Sequence, residues 1–173
     1  MKVHEQCLPC MINQAVKTAN LTNANNREEL YKKIFTYMGC LDFSKSTPKI
    51  FSHIDTLELT INDADSLLQD IQHAGSILYL GDNCGEICFD KLLIKRIRDI
   101  NPECQIYFGV RGAAVVNDST QEDAYFVGMD EYATIISNGD DSLGTVISRT
   151  SPQFQEIYQH ADVVVAKGQS NYE

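Results

Sequence analysis

Positive charge is scarce in this chain, with 14 Lys plus Arg against 24 Asp plus Glu among 173 residues. The formal net charge of -10 argues against nonspecific binding to nucleic acid or to an anionic membrane, since both need a cationic surface. Long apolar runs are also missing. The chain starts Met-Lys-Val-His-Glu-Gln, without the apolar core of a signal peptide, and no stretch approaches the ~20 apolar residues of a membrane span. A cytoplasmic protein is the expectation. The six cysteines lack the spacing of a secreted disulfide framework, so free thiols are expected in a reducing cytosol. Internal repeats and low-complexity tracts are absent as well.

What is present fits one domain, or one domain with a small helical annex, long enough to bury a hydrophobic core. The first forty residues read as a helical hairpin. Cys7, Cys10, Met11, Gln14 and Ala15 follow helical spacing, and Leu30, Ile34, Tyr37 and Met38 mark a second helix closed by Gly39. Ser44, Ser46, Thr47 and Pro48 then break the pattern. The expected division is a helical segment with linker over 1–62 and an α/β domain over 63–173.

In the second part, a helix over 63–74 and a Gly75 stop precede four short apolar runs, Ile77 to Leu80, Ile106 to Val110, Thr134 to Ser137 and Val163 to Ala166. Helical patterns at about 86–100, 120–127 and 152–160 separate them. Such alternation predicts a mainly parallel sheet with helices on both faces, a three-layer α/β/α arrangement. In the first of these helices Phe89, Leu93, Ile97 and Ile100 form the expected core stripe, leaving Lys91, Lys95 and Arg98 to water. Ser119 with Glu122 reads as a capping box, and Ser151 before Pro152 as a helix start.

Open parallel sheets bind ligands beyond the carboxyl ends of their strands, where loops converge and helix N-termini offer free amides. Here the first strand runs into Asp82-Asn83, the second into Arg111 and then Asn117-Asp118, the third into Asn138, and the fourth into Lys167. Asp82, Asn83 and Asp118 offer hard oxygen ligands for a divalent cation such as Mg²⁺ or Mn²⁺. Arg111 and Lys167 add cations that a metal alone would not need, and a phosphate held between metal and basic side chains explains both signs of charge. Singly, each residue reads more simply: a strand-end Asp as a turn or cap residue, Arg111 as a salt-bridge partner, Lys167 as a solvated side chain. Glu86 suits the first helical turn through the dipole, yet also lies one turn beyond the Asp-Asn pair. Gly81 and Gly85 do not form a dinucleotide fingerprint.

Four stretches carry a resemblance: Gly81-Asp-Asn-Cys-Gly-Glu-Ile-Cys-Phe-Asp-Lys-Leu-Leu-Ile94; Val110-Arg-Gly-Ala-Ala-Val-Val-Asn-Asp118 with Glu122-Asp-Ala124; Ile136-Ser-Asn-Gly139 with Gly144-Thr145; and Ala166-Lys-Gly-Gln-Ser-Asn-Tyr-Glu173. In this order they resemble the metal-dependent damage-control phosphatases, and Cys7-Leu-Pro-Cys10 looks like the branch with an amino-terminal Cys-x-x-Cys. The resemblance implies hydrolysis of small phosphorylated metabolites with a divalent ion, Mn²⁺, Co²⁺, Ni²⁺ or Mg²⁺. It implies metal ligation by Asp82, Asn83 and Asp118, with Asp82 and Lys167 as catalytic groups and Lys167 contacting the phosphate. Glu86, Arg111, Asn117 and Asn138 extend the substrate site. Pro48 to Asp63 is a short bridge beside the family's pattern, so the chain reads as a shortened member. The alternative is a shortened metal- or phosphate-binding module without catalysis. For Cys7 and Cys10, with His4 on the same helical side, packing and metal or redox use both stay open.

Overall fold

The structure is a computed structural model that describes residues 61–172. The chain divides into two compact units, Met1–Leu67 and Leu68–Glu173. The expected amino-terminal hairpin, the linker, and Cys7 and Cys10 lie outside the described residues.

The regular elements begin with helix α1, Ala64–His73, followed by strand β1, Ser76–Leu80, and helix α2, Ile87–Ile100. Strand β2, Gln105–Val110, leads to a short helix α3, Gln121–Phe126, and strand β3, Thr134–Ser137. Helix α4, Pro152–His160, strand β4, Val163–Ala166, and a last turn α5, Gln169–Tyr172, complete the order. All four strands are parallel in the order β3-β2-β1-β4, with Ile77 opposite both Ile106 and Val163, and Tyr107 opposite Thr134. The four strands and the main helices match the sequence-based expectation to within a residue or so at each end.

Side chains alternate across a strand, so β1 presents two faces. Leu78 and Leu80 pack with Ile136 and with Phe154 of α4 on one face. On the other, Tyr79 donates a hydrogen bond from its hydroxyl to Asp90 of α2 at 2.8 Å and stacks on Phe108 at 5.8 Å between centroids. Helices thus cover both faces, as a parallel sheet requires. No described helix is long and apolar enough to cross a membrane.

Local chemistry departs from the sequence pattern in two places. The capping box forms one residue later than expected: Thr120 caps α3 by accepting from Asp123 N, and Asp123 answers through Thr120 N at 2.9 Å. Ser119 is unavailable because its backbone extends the site, its N–H donating to Asp82 O at 2.7 Å and its O accepting from Arg111 N at 3.0 Å. In α2 the buried face is Ile87, Phe89, Asp90, Ile94 and Ile97, rotated from the expected stripe. Lys91 Nζ reaches Val127 O at 2.9 Å, and Arg98 bonds the carbonyls of Pro102, Cys104 and Tyr132. These cations hold the helix to the neighbouring turns, their stems lying along apolar surface.

The two ends of the sheet differ. At the amino ends, Asp162 Oδ2 accepts from Gly75 N and Ser76 N, each at 2.9 Å, and Asn101 Nδ2 donates to Ile71 O and Ala74 O at 2.9 and 2.8 Å. These side chains satisfy backbone groups that would otherwise be orphaned where elements meet. At the carboxyl ends the buried polar groups are mostly charged.

Candidate active site

Six ionisable side chains at the carboxyl ends of β1, β2 and β4, and in α2, are nearly excluded from solvent: Asp82, Glu86, Asp90, Arg111, Asp118 and Lys167. Among the described residues, four carboxylates face two cations in a region where charge is costly to bury.

The backbone brings them together. β1 ends at Leu80 and β2 at Val110, and Gly81 N donates to Gly109 O at 2.9 Å, carrying the pairing one step further. Gly81 lies flat against the Phe108 ring, where a Cβ would collide. The loop after β2 folds back through Val116, whose φ of 49° is unusual for a β-branched residue, and Asp118 N closes the turn on Val115 O at 2.9 Å. The returning segment pairs antiparallel with the Asp-Asn segment. Asn83 and Asp118 form an isolated bridge, and Cys84 N donates to Asn117 O at 2.8 Å.

Around this frame the side chains form two linked groups. In the first, Asn83 Nδ2 donates to Asp82 Oδ2 at 3.2 Å and to Glu86 Oε1 at 3.4 Å. Lys167 Nζ forms ion pairs with Glu86 Oε2 and Asp90 Oδ2, both at 2.7 Å. In the second, Arg111 Nε donates to Asp118 Oδ2 at 2.6 Å, Nη1 to Thr145 Oγ1 at 2.8 Å, and Nη2 to Asn171 Oδ1 at 3.0 Å. Asn171 joins the groups, its Nδ2 donating to Gly81 O at 3.1 Å and Lys167 O at 2.7 Å. Gly168, at φ 86°, lies so close that a Cβ there would overlap the Asp82 carboxylate. Only glycine combines that conformation with that approach.

The electrostatics follow from burial and neighbouring charge. Asp82 is pushed up from 3.8 to about 6, first by burial and then by the Asp118 and Glu86 carboxylates, with Lys167 and Arg111 pulling the other way. Burial also raises Asp90 against the pull of Lys167. For Lys167, burial alone would lower the pKa, but Asp90 and Glu86 outweigh it and hold the ammonium above its ordinary value. Lys167 is therefore a permanent cation, whereas Asp82 stays ionised only at an energetic cost.

Asp82, Asn83, Glu86 and Lys167 are in one contact group, and Arg111 and Asp118 in the adjoining one. Asn117 lends its backbone carbonyl to Cys84 N and is half-buried. Asn138 is 1% exposed one strand further on; its Oδ1 accepts from Asp140 N at 2.9 Å, while its Nδ2 has no partner among the described residues. A buried amide donor without a partner calls for an explanation. Its loop is tied to the Arg111 loop by Gly112 N donating to Asp140 O at 2.9 Å. Sequence reasoning missed Tyr79, Asp90, Thr145 and Asn171. Asp90 had a signal: it is a charged residue in the apolar stripe of α2, one turn beyond Glu86.

The donors suited to a hard cation are the Asp82 and Asp118 carboxylates and the Asn83 amide oxygen. Among the described residues, no three His, Cys, Asp or Glu side chains form a metal-ready cluster by themselves, so the amide would be needed as third ligand.

Comparisons with known proteins identify the family. Residues 42–173 match the damage-control phosphatase ARMT1-like domain. A damage-control phosphatase of Pyrococcus horikoshii is 36% identical over 116 residues, covering 67% of this chain and 40% of that protein. An uncharacterized protein of Methanocaldococcus jannaschii is 38% identical over 123 residues, 69% of this chain and 40% of its own length. A damage-control phosphatase of Archaeoglobus fulgidus is 35% identical over 117 residues, 66% of this chain and 39% of its own length. These matches span about two fifths of each relative. The crystal structure of a DUF89 family protein from Pyrococcus horikoshii superposes with a TM-score of 0.69 at 24% identity, covering 99% of this chain and 86% of that one. With residues 42–173, most of this chain, matching the family's domain, the chain belongs to the damage-control phosphatase family, as a bearer of the ARMT1-like domain.

Proposed function

We propose that this chain is a divalent-metal-dependent phosphatase acting on small phosphorylated metabolites. The observation that carries the proposal is the gathering of hard oxygen donors, Asp82, Asn83 and Asp118, at the strand ends with a buried lysine beside them. Asp82, Asn83 and Asp118 would hold the ion, one of Mn²⁺, Co²⁺, Ni²⁺ or Mg²⁺. When bound, such an ion polarises the phosphoryl group and lowers the pKa of a coordinated water. Arg111 fixes Asp118 in place through a short charge-assisted bond and contributes positive charge at the same edge. Lys167 neutralises charge that builds on the phosphoryl oxygens in the transition state. Glu86, Asn117 and Asn138 line the substrate side, and the unpartnered Asn138 amide supplies a donor for a substrate oxygen.

The test is hydrolysis of a generic phosphomonoester by purified protein supplied with each of the four ions in turn. Turnover with at least one ion, lost in Asp82→Ala and in Asp118→Ala, is expected; turnover unchanged in Asp82→Ala refutes the assignment. The alternative reading is a metal- or phosphate-binding module without catalysis. Metal that raises the melting temperature, with no turnover across a broad phosphoester panel, selects that reading.

A further inference from the structure

Asp90 is fully buried in the first turn of α2, one turn beyond Glu86, and none of the roles above uses it. Its two carboxylate oxygens have distinct partners: Oδ1 accepts from the Tyr79 hydroxyl at 2.8 Å and Oδ2 accepts from Lys167 Nζ at 2.7 Å. Burying an acid at 2% exposure in an otherwise apolar stripe costs free energy that a leucine would avoid. Tyr79 is equally anomalous, a phenol in the middle of an apolar strand at 1% exposure. Its burial and the neighbouring Asp90 raise its pKa well above the ordinary value, so it stays a hydrogen-bond donor. The chain therefore reads Tyr79 hydroxyl to Asp90 to Lys167, rising from the middle of β1 to the end of β4.

We propose that Asp90, itself oriented by Tyr79, is a positioning residue that fixes the Lys167 ammonium so that one of its N–H groups points at the substrate phosphoryl oxygen. The proposal rests on the phosphatase reading above. A lysine has three donors on a flexible stem of four carbons. Asp90 accepts from one of them at 2.7 Å and Glu86 Oε2 stands 2.7 Å from the same ammonium as an ion-pair partner, which narrows the directions open to the remaining donors. With a single carboxylate the ammonium could rotate about that contact. With two carboxylates on different turns of the chain, and Asp90 locked by Tyr79, rotation is restricted. Positioning of this kind matters most in the transition state, where a misplacement of about 1 Å can cost on the order of 10²-fold in rate.

The experiment combines kinetics with a spectroscopic readout of the lysine. With Mg²⁺ and a generic phosphomonoester, Asp90→Asn is expected to lower kcat by roughly 10²-fold with a small change in KM, and Tyr79→Phe by roughly fivefold. In a Lys167→Met background, adding Asp90→Asn is expected to have almost no further effect, because two residues acting as one unit are non-additive. Full additivity overturns the proposal, since a merely structural acid would act without the lysine. In ¹⁵N-labelled protein, the buried ammonium should give a slowly exchanging Nζ signal that is absent in Lys167→Met, lost or broadened in Asp90→Asn, and shifted by inorganic phosphate with Mg²⁺. A signal unaltered in both Asp90→Asn and Tyr79→Phe overturns the proposal. Tyr79→Phe keeps the test decisive if Asp90→Asn fails to fold. A wild-type protein without turnover refutes the phosphatase reading alone, because the Nζ signal still reports whether Asp90 holds Lys167.

Discussion

Replacing Asp82 by Asn should make the metal-free protein more stable while abolishing its activity. The ionised carboxylate is held close to Asp118 and Glu86 in a largely buried position, and its pKa is raised from 3.8 to about 6. A folded-state pKa above the unfolded value means that the folded protein binds the proton more tightly. The site therefore costs nothing below about pH 3.8, and the cost grows as pH rises through the folded value near 6. A shift of that size corresponds to at most ~3 kcal/mol, and solvent screening at the open side of the group reduces it to ~1.5 kcal/mol. For a chain of this length that is a rise in Tm of roughly 3–6 °C at pH 8. Thermal unfolding followed by circular dichroism in excess chelator, at pH 4.5, 6 and 8, measures it. The gap between Asp82→Asn and wild type should widen with pH, and added divalent metal should narrow or reverse it by stabilising wild type alone. A variant that is no more stable than wild type at pH 8, or a gap independent of pH, would refute the argument.

Other substitutions probe the frame around this group. Arg111→Ala leaves the buried Asp118 carboxylate without its 2.6 Å partner and should cost about 3–5 kcal/mol in urea unfolding, more than any surface arginine. Gly168→Ala must place a methyl group against the Asp82 carboxylate in a backbone conformation that alanine resists; it should destabilise by about 1–3 kcal/mol and weaken Mn²⁺ binding in calorimetry. Ser151→Ala removes the hydroxyl that accepts from Phe154 N at 3.2 Å and should cost about 1 kcal/mol, with phosphatase turnover unchanged.

The legibility of this chain in its sequence was uneven, for physical reasons. Strands such as Ile106 to Val110 are short apolar runs whose burial on both faces is recorded directly in their composition, so the sheet and its parallel sense could be read. Asp82, Asn83 and Asp118 were visible because strand ends interrupt those runs with oxygen-bearing side chains. The network behind them was not. Tyr79 and Asp90 sit inside apolar elements, where a periodicity argument treats a polar residue as noise unless its partner is known. Tyr79 is partnered by Asp90, and Asp90 in turn by Lys167, 77 positions away along the chain. Asn171 was hidden for another reason: its hydrogen bonds to Gly81 O, Lys167 O and Arg111 depend on a turn at Gly168 that no residue pattern specifies. The shift of the cap from Ser119 to Thr120 shows tertiary pairing overriding a local motif, since the Ser119 backbone was needed by Asp82 and Arg111.

The antiparallel bridge between the Asp-Asn loop and the Asp118 loop bears on how such a site can diversify. Cys84 N to Asn117 O, Ser119 N to Asp82 O and Arg111 N to Ser119 O are all main-chain bonds, indifferent to the side chains that carry them. The intervening positions Ala113, Ala114, Val115, Val116 and Cys84 can therefore be exchanged without moving the carboxylates. A lineage built on this frame can vary the side chains of the two loops while the backbone that carries Asp82 and Asp118 keeps its register.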